Sequence, residues 1–333
     1  MTTAKTSGNL VEPIRQAQEI KMQETYPDLF GTSLRVLFLE SLRSQGRYKY
    51  ARYKGLPLRY AGGKSLGVGH VVEQMPDGLE TLVSPFMGGG AVEIACAAEL
   101  GVQVQAYDIF DVLVNYWQVQ LMSGAELAER LAQWEPTKAQ YAEIKCRLKA
   151  HWKAENRIEN PLELAAHYWF NHNLSYGPGF LGWMSKIYES PGKYARAVKT
   201  VRHFQCPLLS VQHGSFEETI PRHPGEFLYC DPPYYLDEGK MFKGIYPQRN
   251  FPVHHNGFKH ELLRELLHAH NGGFVLSYND CETIRRWYAD FRILEVEWQY
   301  TLGQGETRIG KNRIENGTGH VKQSHELLIV KEG

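Results

Sequence analysis

The segment Asp231-Pro232-Pro233-Tyr234 combines residue types that can bind an amino group on a flat ring. It follows the apolar residues 227–230, whose pattern favours a buried strand. Two prolines remove two N–H donors, so carbonyl oxygens beside the Asp231 carboxylate are available as acceptors. The Tyr234 ring offers a surface for stacking. We therefore predict a site that accepts hydrogen bonds from an exocyclic amine, the alternative being a rigid turn with a capping aspartate.

Three glycines follow another predicted strand, in the segment Pro85-Phe86-Met87-Gly88-Gly89-Gly90. Glycines allow a tight turn and a close approach of a ligand to the main chain beside a helix N-terminus. Asp108 ends the next predicted strand, about 20 residues further on, where a carboxylate suits the two hydroxyls of a ribose. This spacing favours a nucleotide-containing ligand, although Asp108 also suits a helix N-cap. No GxGxxG fingerprint of the NAD type is present.

A third segment, Arg59-Tyr60-Ala61-Gly62-Gly63-Lys64, places two glycines before a lysine that can pair with a carboxylate. In this order, the three segments and Asp108 resemble the Dam-type DNA adenine-N6 methyltransferases (D12 class, alpha group). Residues 170–180 and 276–280 are also similar to family segments, and the resemblance extends over about residues 56–331. One position departs from the family, since Ser84 stands where a glutamate is frequent.

The resemblance implies that S-adenosylmethionine is the methyl donor and that the acceptor is adenine N6 of a base flipped out of double-stranded DNA. The residues expected at the cofactor are Tyr60, Gly62, Gly63, Lys64, Pro85, Phe86, Gly88, Gly90, Asp108 and Asp231. The residues expected at the target base are Asp231, Pro232, Pro233 and Tyr234. The Asp231 carboxylate and the Pro232 carbonyl would accept the two N–H groups of the amine. The reaction needs no metal, and the 14 histidines show no convincing ligand spacing.

The elements that must position these segments form an α/β pattern. Seven strands are predicted, near residues 81, 103, 208, 227, 274, 292 and 326. The first five alternate with helices, which predicts a doubly wound, mostly parallel sheet of the methyltransferase type. The last two are predicted as an antiparallel hairpin at one edge. Ser123 is expected to cap a helix over 125–134, and Asn279-Asp280 is expected to cap a later one.

The chain divides into three predicted regions. Residues 56–114 and 206–333 are expected to form the catalytic domain, and the resemblance implies a mostly helical target-recognition insertion over 115–205. Residues 1–55 are interpreted as an extension for self-association, giving a homodimer, or for additional DNA contact. The side chains expected to contact DNA are polar, aromatic or basic: Asn171, Tyr176, Lys186, Lys240, Lys243, Arg249, Arg308 and Lys311.

Composition restricts the class of protein further. The net charge is zero, with 37 basic and 37 acidic residues, but no acid occurs between Glu40 and Glu73, where seven basic residues alternate with tyrosines. Such segregation allows one positive face on a neutral protein. Five scattered cysteines and the absence of a long apolar run favour a cytoplasmic, DNA-associated protein without a membrane span.

Four alternatives remain open at this point. Cytosine N4 of DNA and adenine of RNA present a similar exocyclic amine to the same fold. A DNA-binding regulator could keep the pocket without methylating, and a small-molecule methyltransferase would suit the fold alone. The recognition sequence and the choice between a restriction–modification partner and a solitary epigenetic role are not legible in the sequence.

Overall fold

The computed structural model describes residues 12–18, 20, 32–235 except 47, 61 and 178, 257–298 and 324–333. These residues contain a seven-stranded sheet of order β3-β2-β1-β4-β5-β7-β6. The strands are β1 (Thr81–Ser84), β2 (Gln103–Asp108), β3 (Leu209–His213), β4 (Phe227–Cys230), β5 (Phe274–Asn279), β6 (Arg292–Trp298) and β7 (Ser324–Lys331). Every predicted strand is therefore present at its predicted place.

The first five strands pair in parallel, and β7 pairs antiparallel with both β5 and β6. Within this hairpin the later strand, β7, lies next to β5 inside the sheet, and β6 forms the edge. Adjacent residues of β1 point to opposite faces: Leu82 packs into one apolar cluster and Val83 into another. Apolar side chains therefore cover both faces, and the mixed α/β architecture is confirmed.

Residues 12–18 are helical, and ten α-helices with described ends accompany the sheet. They are α1 (Leu34–Ser41), α2 (Val68–Val72), α3 (Ala91–Glu99), α4 (Asp111–Ala132), α5 (Lys138–Trp152), α6 (Pro161–Leu174), α7 (Pro191–His203), α8 (Phe216–Arg222), α9 (His260–Ala269) and α10 (Glu282–Trp287). None of the described helices is long and apolar enough to cross a membrane. Helix α1 belongs to the predicted N-terminal extension, yet it buries Leu37 and Phe38 in the same cluster as β1.

The two predicted helix caps differ in outcome. Ser123, with a non-helical φ of −140° and ψ of 39°, lies at a kink where two helices join within α4, so a second helical stretch begins at the predicted place. The N-cap of α10 is Cys281 rather than Asp280. The Asp280 carboxylate accepts hydrogen bonds from both Arg285 Nε and Nη2, at 2.6 and 2.8 Å.

Helices α4 to α7 connect β2 to β3, and two of their tryptophans contact the loops that carry the motifs. Trp117 Nε1 in α4 donates to the Gly88 carbonyl at 3.0 Å, and Trp169 Nε1 in α6 donates to the Pro57 carbonyl at 2.8 Å. Both tryptophans are fully buried. The helical segment therefore supports the loops at the carboxyl ends of the central strands.

Candidate active site

Three of the predicted segments follow neighbouring parallel strands. Residues 85–90 follow β1, Asp108 ends β2, and residues 231–234 follow β4. Because β1 pairs in parallel with both β2 and β4, their carboxyl ends meet at one edge of the sheet. Ligands of open α/β sheets bind at such an edge.

The glycine loop after β1 adopts backbone conformations that side chains disfavour. Gly88 has a φ of 44°, and Gly90, the N-cap of α3, has a φ of 65°. A Cβ atom at Gly89 would lie only 2.5 Å from the Cβ of Tyr60, so the loop and the tyrosine are closely packed. The glycines are thus required by the turn and by this close approach.

Asp108 anchors the glycine loop. Its Oδ2 accepts a hydrogen bond from the Gly88 amide and its Oδ1 accepts one from the Phe110 amide, both at 2.9 Å. These two hydrogen bonds fix the carboxylate at the carboxyl end of β2.

Lys64 and Asp231 form an ion pair at the centre of the site. The lysine Nζ lies 2.7 Å from Asp231 Oδ1 and 2.9 Å from Oδ2, and it stands 5.0 Å from the centre of the Tyr234 ring. The lysine side chain is only 4% exposed. Burial raises the pKa of Asp231, and the Lys64 charge and hydrogen bonds oppose this rise.

Two further buried carboxyls surround this pair. Glu326 Oε2 lies 3.8 Å from Lys64 Nζ, and burial raises the pKa of Glu326 to about 7. Glu93, in the first turn of α3, accepts a hydrogen bond of 2.6 Å from the Ser84 hydroxyl, and burial raises its pKa to about 8. Position 84 carries a serine where a glutamate is frequent in the family. The Glu93 side chain from α3 nevertheless brings a carboxyl next to this position.

Helix α6 contacts the segment that carries Tyr60 and Lys64. The ring of His172 stacks on Tyr60, with 5.3 Å between centroids, and on Tyr168, with 5.1 Å between centroids. Burial lowers the pKa of His172 to about 3, so the imidazole is neutral. Asn173 accepts from the Arg59 amide through its side chain, at 2.9 Å, and from Arg59 Nη1 through its carbonyl, at 2.8 Å.

The structure brings together most of the predicted cofactor and base residues. Phe86 packs on Phe216 and Phe258 at the same sheet edge, and Gly62, with a φ of 73°, turns the chain between Tyr60 and Lys64. Gly63 donates its amide to the Tyr60 carbonyl at 3.2 Å. Pro85, Pro232 and Pro233 occupy the loop positions directly after β1 and β4.

The predicted DNA contacts are not placed together. Asn171 is fully buried and its Oδ1 accepts from the Leu181 amide at 2.8 Å, which does not support a direct contact with DNA. Tyr176 is 52% exposed and Lys186 is also exposed. The remaining predicted contacts lie outside the described residues: Lys240, Lys243, Arg249, Arg308 and Lys311.

Three residues at or near the site are not predicted from the sequence: Glu93, His172 and Glu326. Trp183, which is 71% exposed on the loop after α6, is not predicted either. The signal for two of them was an acid inside an apolar run, as in Val92-Glu93-Ile94 and Glu326-Leu327-Leu328. No group of three metal-binding side chains was found in the part of the chain that the structure describes.

The donor and acceptor set fits S-adenosylmethionine. The Asp108 carboxylate stands at the end of β2, the glycine loop that it holds follows β1 at the same edge, and the Tyr60 ring packs against that loop. The carboxylate suits the ribose hydroxyls of an adenosyl group, and the aromatic ring suits its flat base.

Fold and site together define an α/β enzyme of the nucleotide-cofactor methyltransferase class. The family model of the D12 class N6 adenine-specific DNA methyltransferases matches residues 60–302, and the chain belongs to this family.

Two curated proteins are similar to this chain. The Type II methyltransferase M.FokI of Planomicrobium okeanokoites is 25% identical over 307 residues, which cover 83% of this chain and 45% of M.FokI. The Type II methyltransferase M1.LlaDCHI of Lactococcus lactis subsp. cremoris is 23% identical over 274 residues, which cover 76% of this chain and 91% of M1.LlaDCHI. The chain thus spans less than half the length of one relative and most of the other.

Proposed function

We propose that this protein transfers a methyl group from S-adenosylmethionine to adenine N6 of a flipped-out base in double-stranded DNA. The observation that carries the proposal is the half-buried Asp231 carboxylate, 22% exposed, held by Lys64 at the carboxyl end of β4 and followed by two prolines. The family of the chain and the names of its relatives, both Type II methyltransferases, support a site-specific DNA enzyme of this kind.

Asp231 is the acceptor for the amine. The lone pair of adenine N6 is delocalised into the ring, so the nitrogen is a poor nucleophile until its N–H groups are bound. The Asp231 carboxylate and the Pro232 carbonyl accept these hydrogen bonds, direct the lone pair and stabilise the positive charge that develops on nitrogen. When bound, S-adenosylmethionine supplies a methyl group already activated on a sulfonium.

Lys64 keeps Asp231 in its charged form. Without a cation, burial would favour the neutral acid, which is a weaker acceptor. Lys64 donates to both carboxylate oxygens and opposes that effect. The same ammonium lies over the Tyr234 ring, which we assign to stacking on the target base.

The cofactor lies against the glycine loop in this proposal. Asp108 accepts hydrogen bonds from the ribose hydroxyls while it holds the Gly88 amide, and Phe86 in the same segment packs on Phe216. Tyr60 and Lys64 border the methionine part. In this arrangement the methyl donor would lie beside Asp231, at the polar edge after β1, β2 and β4.

Helices α4 to α7 form the target-recognition region in this proposal. Exposed Tyr176 and Trp183 lie on a loop after α6, and the Trp183 carbonyl pairs with the Tyr176 amide at 2.5 Å. Aromatic and basic side chains of this kind suit contact with bases and phosphates.

We place the protein in the cytoplasm with the DNA, and self-association through residues 1–55 stays a prediction.

The experiment is methyl transfer from labelled S-adenosylmethionine to mixed-sequence double-stranded DNA, followed by mass spectrometry of the nucleosides. N6-methyladenine is expected with the wild type and with Asp290→Ala, an exposed carboxylate used as the control, and not with Asp231→Ala. N4-methylcytosine, or methylation of RNA alone, would contradict the assigned acceptor. Binding of cofactor and DNA without any methyl transfer would instead identify a regulator.

A further inference from the structure

We propose that Glu326 is a positioning residue of this site: it shares the Lys64 ammonium with Asp231 and so frees an Asp231 oxygen for the target amine. Glu326 lies on β7, beyond the part of the chain that the family model matches. The inference rests on the proposed function for its effect on the reaction, whereas the contacts themselves do not depend on it.

The sheet register brings Glu326 to the site. Antiparallel pairing of β7 places it opposite Asn279 at the carboxyl end of β5, next to the strand that leads to Asp231. Its side chain is 2% exposed. A carboxyl this deeply buried requires partners, since a lone buried charge is strongly disfavoured.

Glu326 has three such partners. Its Oε2 lies 3.8 Å from Lys64 Nζ and accepts a hydrogen bond of 3.4 Å from the Ser277 hydroxyl. The Tyr234 hydroxyl also donates to this carboxylate. Glu326 therefore contacts both the cation that pairs with Asp231 and the ring assigned to the target base.

The Lys64–Asp231 geometry shows why a second anion matters. Lys64 donates toward both oxygens of Asp231, at 2.7 and 2.9 Å, and the target amine needs one of the same oxygens. An ionised Glu326 offers the ammonium another anion 3.8 Å away. The lysine can then turn partly toward β7 while it still keeps Asp231 charged.

The charges facing Glu326 make its own ionisation sensitive to pH. Burial raises its pKa to about 7, and Lys64 and the hydroxyls of Tyr234 and Ser277 act in the opposite direction. Asp231 adds a like charge that contributes to the rise. We therefore expect methyl transfer to increase as Glu326 ionises through the neutral range, because only the ionised form competes for Lys64.

The first test is Glu326→Gln, which keeps the size and hydrogen-bonding capacity of the side chain and removes its charge. Single-turnover methyl transfer would be measured between about pH 5.5 and 8.5, together with the Kd of S-adenosylhomocysteine and of DNA. We expect the variant to lose the near-neutral rise of the rate and to be about tenfold slower at high pH. Both Kd values are expected to change by less than about twofold, because Glu326 acts on the acceptor geometry.

The control is Glu99→Gln. Glu99 is a half-buried carboxyl at the far end of α3 from the glycine loop, and it accepts a hydrogen bond of 3.0 Å from the Tyr53 hydroxyl. The control should keep the near-neutral rise. An unchanged pH profile in Glu326→Gln, or an equal loss of the rise in both variants, would overturn the inference. Glu326→Asp provides a second variant if the amide fails to fold; it should keep the rise at a lower rate, and a wild-type rate would contradict us.

Thermal unfolding without DNA or cofactor separates this inference from the proposed function. The folded-state pKa of Glu326 is raised, so its contribution to stability is present at low pH and is lost as the pH rises toward about 7. Wild type should lose stability over this range relative to Glu326→Gln. If that difference appears but wild type does not methylate DNA, the proposed function is wrong, whereas the interaction of buried Glu326 with Lys64 is supported. If wild type methylates and neither pH dependence differs, the inference on Glu326 fails alone.

Discussion

The ammonium nitrogen of Lys64 lies 2.7 Å from an oxygen of Asp231, although 167 positions separate the two residues in the chain. One residue precedes α2 and the other follows β4, so this ion pair joins two motifs that the sequence presents far apart. The resemblance places Lys64 near the carboxylate of the cofactor. The structure places the same ammonium on the Asp231 carboxylate, which we propose as the acceptor, so a change at Lys64 also affects the ionisation of Asp231.

Lys64→Met should shift the pH dependence of methyl transfer to higher pH. Once the cation is removed, burial acts unopposed and raises the pKa of Asp231 further, so the carboxylate stays protonated over a wider pH range. We expect methyl transfer at neutral pH to fall by about 100-fold or more, with partial recovery at alkaline pH. Single-turnover rates against pH provide the measurement.

Lys49→Met is the control for this change, because Lys49 pairs with Glu73 and is 40% exposed. Its rate and pH profile should equal those of the wild type. A Lys64→Met protein that loses activity evenly at every pH would show that the lysine acts on the cofactor alone.

His172→Phe should make the protein more resistant to acid, relative to the wild type. The imidazole is buried between Tyr60 and Tyr168, and burial lowers its pKa to about 3. The unfolded chain binds a proton below about pH 6.5, whereas the folded protein does not. The stability that depends on neutral His172 is therefore present above that pH and is lost as the pH falls toward 3.

Urea unfolding at a series of pH values measures this effect. Wild type should lose about 1.4 kcal/mol per pH unit more than His172→Phe in that range. His268→Phe is the matched control, because His268 stacks on Tyr288 but is exposed. Equal slopes for wild type and His172→Phe would contradict the buried neutral imidazole.

Most of the fold can be predicted from the sequence, because the patterns that indicate its strands and helices are local. Apolar runs ended by glycine or proline identify β1 and β4, and the alternation of strands and helices identifies a mostly parallel sheet. The motifs are legible for the same reason, since each of them directly follows a strand. The family match then confirms the class of protein.

The missed residues depend on contacts between distant elements. Glu326 reaches the site through the antiparallel register of β7 on β5, and no local pattern specifies that register. Asn171 was expected at the DNA because its segment is polar and glycine-rich, yet its side chain holds the Leu181 amide inside the protein. Burial of a polar side chain becomes visible only when its partners are known.

Asp108→Asn should weaken the binding of S-adenosylmethionine. The substitution keeps the shape of the side chain but loses the charge that accepts from Gly88 and, as proposed, from the ribose hydroxyls. Charge-assisted hydrogen bonds contribute about 1.5–3 kcal/mol each, so the Kd should rise by tenfold or more. Isothermal titration with the cofactor measures this.

Asp111→Asn serves as the comparison. The Asp111 carboxylate accepts a hydrogen bond from the Val112 amide at the start of α4, and within the described part of the chain it makes no hydrogen bond to the glycine loop. Its cofactor Kd should match the wild type. If Asp108→Asn also binds normally, the ribose assignment is wrong and the carboxylate serves only to anchor the loop.

Lys186→Ala should weaken DNA binding without changing the sequence that is methylated. Lys186 is exposed and closely follows the loop that carries Tyr176 and Trp183. A lysine that contacts phosphate releases about one counterion, so the slope of log K against log salt should fall in magnitude by about 0.9. Fluorescence anisotropy with duplex DNA at several salt concentrations gives the slope, and Lys153→Ala, whose lysine pairs with Glu155 at 3.5 Å, should leave it unchanged. An unchanged slope in Lys186→Ala, or an equal decrease of the slope in both variants, would show that Lys186 does not contact DNA phosphate. A phosphate contact must change the number of ions released on binding.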